Sequence, residues 1–119
     1  MLVKRSLVFL GLALSCVAVH AQTADQLQKA TATGVIASSS NARVAVDLCQ
    51  FDKKRVESYK AAQKQAFAAD KNFESDWNTG WQQGQVSVTN YTKLKSTNAQ
   101  DFEQTKSDTC SGLAEDMKP

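Results

Sequence analysis

Proline occurs once in this 119-residue chain, as its last residue, and histidine occurs once, at His20. No proline therefore interrupts a helix before Pro119. Apolar runs are just as scarce. The only one covers residues 7–18, which is too short for a stable membrane span. It follows Lys4 and Arg5 and leads into Val19-His20-Ala21, the layout of a secretory signal peptide over residues 1–21 with cleavage after the small Ala21. No transmembrane helix is expected once that leader is gone. Leu14-Ser15-Cys16 offers an alternative, a lipoprotein box that would anchor the chain in the envelope through Cys16.

Cleavage after Ala21 also removes His20. A chain without histidine cannot run a Ser-His-Asp or Cys-His mechanism or build the usual His-containing zinc and haem sites. CxxC, CxxCH, a glycine-rich phosphate loop and an EF-hand loop are all missing, so no cofactor or metal is expected. A surplus of one charge sign is missing too, because 12 basic and 12 acidic residues follow Ala21. Nucleic acid is thereby disfavoured as a partner, since such binding draws on an extended face rich in Lys and Arg. Large aliphatics are few: Leu, Ile, Val and Phe supply 15 of the 98 residues after Ala21, so the fold needs help beyond its core.

Two cysteines remain in that part, Cys49 and Cys110. An even pair in an exported chain implies a disulfide, because the compartment beyond the inner membrane is oxidising. The expected location is periplasmic or secreted, and the leader has a bacterial character.

Residues 22–41 are rich in Thr, Ala, Gln and Ser, and read as a weakly ordered N-terminal arm ahead of a single helical domain at 42–119. Ser40 or Asn41 is suited to cap a following helix that carries Val44, Leu48 and Phe51 at helical spacing. One helix is predicted over residues 53–76. That stretch is rich in Ala, Lys, Gln and Glu, lacks Gly, and repeats Val56, Tyr59, Ala66, Phe67, Phe73 and Trp77 on one face. The signal weakens at Asn78-Thr79-Gly80 and Gly84. It returns in a final helix capped by Ser96, Thr97 or Asn98, with Phe102, Lys106, Cys110, Leu113 and Met117 on one stripe.

The fold class is all-α: a small, disulfide-stapled antiparallel helical hairpin or a three-helix bundle. Pairing Cys49 with Cys110 in a simple hairpin puts the reversal at Thr79-Gly80, and a reversal at residues 95–98 brings the cysteines together equally well. Residues 43–64 carry +3 and residues 101–118 carry −3, which favours laying these arms side by side.

Phe73, Trp77 and Trp81, spaced by four, put three large rings on one face. They are either core or a partner-binding surface, with Gly80 and Gly84 allowing a close backbone approach. Asp70, Glu74 and Asp76 read as a solvated acidic face, or else as a cation or carboxylate site that requires a buried member. Lys53-Lys54-Arg55, Lys60 and Lys64 read as a solvated or internally paired basic face. The expected function is non-enzymatic protein–protein interaction of the inhibitor, immunity or holdase-chaperone type. Another protein is the partner, and a homodimer is compatible with it.

Overall fold

The computed structural model describes residues 23–119, of which 84% are helical, with no strand among them. The leader, its cleavage site and Cys16 lie outside the described residues. Four helices follow in order: α1 (Ala24–Asp47), α2 (Lys53–Ala66), α3 (Phe73–Thr97) and α4 (Ala99–Asp116). Polar side chains set the starts of α1, α2 and α4. Thr23 and Gln26 form a capping box on α1, and Asp52 caps α2 by accepting from the backbone N–H of Lys54. Asn98 ends α3 and caps α4 through the N–H of Asp101.

Cross-helix contacts give the directions. Ser38 donates to Gln63 and Gly34 lies under the Phe67 ring, so α2 runs back along α1. Gln28 meets Asp70, Ile36 and Ser39 meet Gly80, and Ser40 and Arg43 meet Gly84, so α3 runs parallel to α1. Tyr91 bonds Thr109 and Lys95 covers the Phe102 ring, so α4 returns along α3. The result is an up-down-up-down bundle in which α1 and α3 make the most extensive contact. Its core joins Val35, Ala42, Ala45, Val56, Phe73, Trp77, Phe102, Leu113 and Met117.

Three sequence expectations are corrected here. First, residues 24–41 are not a loose arm but the greater part of α1, with Thr31, Val35, Ser38 and Ser39 buried. Ser40 and Asn41 lie inside that helix and cap nothing. The small side chains that resemble a linker are what let α3 come close. Ser39, fully buried, donates its hydroxyl to the carbonyl of Trp77, while Ser38 turns to α2. Second, the chain does not reverse at Thr79-Gly80. Gly80 and Gly84 sit within a continuous α3 and form a small-xxx-small groove against α1, the steric logic also used by closely packed membrane helices. The reversal lies at Asn98. Third, the helix expected over 53–76 breaks after Ala66, because Phe67 folds onto Gly34 and Asp70 is drawn inward, and a new helix starts at Phe73.

The disulfide is formed. Cys49–Cys110, with Cα atoms 5.6 Å apart, ties the end of α1 to α4. The attraction expected between residues 43–64 and 101–118 is realised through backbone and not through carboxylates. Arg55 donates to the carbonyls of Ala114 (2.9 Å) and Met117 (3.1 Å) and lies over the Phe51 ring at 4.4 Å. A cation at the C-terminus of α4 satisfies carbonyls that the helix leaves open and faces the negative end of its dipole. Arg55→Ala is expected to lower stability by about 1–2 kcal/mol, as for a charged donor on part-exposed acceptors. A urea midpoint equal to wild type would show that these carbonyls are as well served by water.

Candidate functional site

The three rings singled out by their spacing are split by the structure. Phe73 and Trp77 are core residues, each 5% exposed, with centroids 5.7 Å apart. Tyr59 from α2 closes on Trp77 at 6.5 Å. Trp81, one turn further along α3, is half-buried under the Arg43 guanidinium, which sits 5.0 Å from its ring and pairs with Asp47. An exposed surface of all three rings is therefore corrected to one accessible indole beside two buried rings. The physical reason is that a chain with few large aliphatics places its aromatics in the core.

That indole edges an open groove of ≈310 Å³ between α2 and α3. Val46 and Val56 line it with Trp77 and Trp81, and Lys53 and Lys60 stand among its polar lining. The helices are linked by Glu74, which accepts from Lys60 (2.8 Å) and Lys64 (3.1 Å). These two bonds hold the Glu74 carboxyl below the usual glutamate range, with Lys60 the larger influence. Lys60 and Lys64 also lie over the Trp77 and Phe73 rings at 5.4 and 5.7 Å. The basic cluster is thus partly spent inside the fold: Arg55 on α4, and Lys60 and Lys64 on Glu74.

The acidic trio is divided as well. Glu74 is an exposed ion-pair partner, whereas Asp70 is 6% exposed, a burial that no sequence pattern announces. Its Oδ1 accepts from Gln28 Nε2 (3.0 Å) and from the backbone N–H of Asn72 (2.9 Å). The half-buried Asp76 carboxyl is pushed above the ordinary aspartate value, first by its own desolvation and then by Asp70 beside it. Among the described residues no three His, Cys, Asp or Glu side chains converge, and both cysteines are in the disulfide. The groove presents an apolar floor, an aromatic edge and a charged rim. No known protein family, curated protein or solved structure matches the chain.

Proposed function

We propose that this is an exported, non-enzymatic binding protein that seats one protein partner in the α2–α3 groove, of the inhibitor or immunity type. The observation that carries this reading is the groove itself, where Trp81 and the valines offer apolar contact and lysine cations frame it. An aromatic anchor in a partly desolvated pocket with a polar rim is the usual composition of a binding hot spot. A disulfide suits an oxidising compartment, which supports a periplasmic or secreted location, and no helix among the described residues is long and apolar enough to cross a membrane. A holdase needs broad apolar surface. Among the described residues the exposed large hydrophobics are Leu27 on α1 and Val86 on α3, isolated from each other, which favours a single cognate partner.

Site-specific photo-crosslinking tests the reading. A crosslinker at Asn78, on the groove wall, should give one discrete product in the native envelope, and the same group at Gln83 on the opposite side of α3 should not. Trp81→Ala should reduce that product at least tenfold while the fold stays intact, as removal of a hot-spot aromatic does. Equal yields from wild type and Trp81→Ala, or from both crosslinker positions, would refute the groove.

A further inference from the structure

The turn between α2 and α3 holds a carboxylate under unusual conditions. Asp70 is 6% exposed, and while its Oδ1 has two donors, its Oδ2 is buried with none. A buried carboxylate oxygen without a donor is costly, and the charge it carries makes it more so. No compensating cation is at hand. Among the described residues no Lys or Arg nitrogen lies within 4.0 Å of Asp70 or Asp76. From α1 the facing group is the neutral Gln28, from α2 both Lys60 and Lys64 are engaged by Glu74, and Lys71 in the turn itself is exposed. The neighbour that Asp70 does have is another carboxyl, Asp76, in the first turn of α3.

We propose that Asp76, once protonated, donates to the buried Oδ2 of Asp70 and forms an acid-tightened clasp, holding the N-terminal half of α1 to the start of α3 through Gln28. When Asp76 takes a proton from solvent its own charge is removed. The protonated Asp76 then donates to the orphaned Oδ2, leaving Oδ1 free to hold Gln28 and Asn72. Without the proton, two like charges face each other in a partly desolvated corner and push the α2–α3 turn away from α1. The mechanical consequence falls on α1, because its N-terminal turns have few other partners: Gln26, Leu27, Lys29 and Ala30 are all exposed.

The sign follows from proton linkage. The folded state binds the proton more tightly than the unfolded chain, so this pair adds stability as pH falls through the raised Asp76 value, and the gain is complete below the ordinary 3.8. Between those limits each pH unit multiplies the folded-to-unfolded ratio by up to about tenfold. Glu74 works in the opposite direction. Its lowered value gives stability present above 4.5 and lost as pH falls, so the test reads a difference between proteins and not a single curve.

Urea unfolding of the full chain from pH 4 to 7.5, in EDTA so that no divalent cation takes the proton's place, compares wild type with Asp76→Asn. The amide of Asn donates to Asp70 at every pH. The variant should therefore be more stable than wild type at pH 7, and the gap should close as pH falls. Carboxyl-carbon NMR of wild type should place the Asp76 titration above 3.8. A stability gap constant across the range, or an Asp76 carboxyl that titrates as an ordinary aspartate, would overturn the clasp. If Asp76→Asn does not fold, Asp70→Asn, which keeps an acceptor for Gln28, serves the same comparison.

Discussion

Replacing Cys49 and Cys110 together by serine is expected to lower the unfolding free energy by about 4 kcal/mol, from the closure entropy of a 61-residue loop. For a domain of this size that is a large share of the total stability. The position of the bond adds to the effect. It joins α1 and α4, which otherwise share little contact, and it stands at the base of the hairpin formed by the end of α3 and the start of α4. Further out, that hairpin is only two helices thick, held by Tyr91 to Thr109 and by Phe102 under Lys95 and Lys106. In the serine variant, amide exchange should therefore accelerate first in α4 and at the Arg55-bonded carbonyls, while α1 and the first turns of α3 stay protected closer to the global limit. Chemical denaturation of both proteins measures the first effect and native-state hydrogen exchange the second. A loss below 1 kcal/mol, spread evenly over all four helices, would mean that the bundle does not depend on the tie.

Gly80→Ala should be nearly as damaging. In an ordinary helix interior the change stabilises by about 1 kcal/mol, because alanine loses less backbone entropy than glycine. Here the added Cβ would stand 2.2 Å from the carbonyl oxygen of Ile36 and 2.8 Å from Ser39 Cβ. The first of these is backbone and cannot swing aside, so α1 and α3 must separate along their main contact. Overpacking of this kind costs about 1–3 kcal/mol, and we expect the upper end of that range net of the propensity gain. Gly84→Ala meets the Cβ of Arg43 at 2.6 Å and the carbonyl oxygen of Ser40 at 2.7 Å and should act in the same direction. Gly112→Ala is the control. A Cβ there meets nothing within 4 Å, so the protein should gain about 1 kcal/mol. Unfolding midpoints that move the same way at Gly80 and Gly112 would rule out the parallel α1–α3 contact.

These variants also mark how far residue patterns carry. The stripe of Phe102, Cys110, Leu113 and Met117 predicts α4, and the structure buries Phe102, Leu113 and Met117 as its inner face. Asn98, one of three neighbouring residues suited to cap the final helix, is the one that does so, because a side-chain oxygen at an N-terminus satisfies a local need. The cysteine pair was legible because redox chemistry depends on the compartment and the count, and hardly on the fold. Trp81 was legible only as one of three rings. Its spacing puts it on a face with Phe73 and Trp77 but does not say that the wall of α2 covers two of them and leaves the third at a groove.

The amino-acid sequence by itself determined that residues 23–119 fold as helices stapled by one disulfide, and that this stretch holds none of the histidine that most nucleophilic and metal chemistry needs. These properties depend on composition, on spacing within one helix, or on a covalent bond between two named atoms. Only the tertiary structure decided that residues 24–41 are helix, that α3 runs unbroken through Gly80 and Gly84, that α2 stops at Ala66, and that Asp70 is buried. Serine and glycine are poor helix formers in isolation, and the benefit of being small appears only when a second backbone arrives to occupy the space. That contact joins residues some forty positions apart in the chain, beyond the reach of any local pattern.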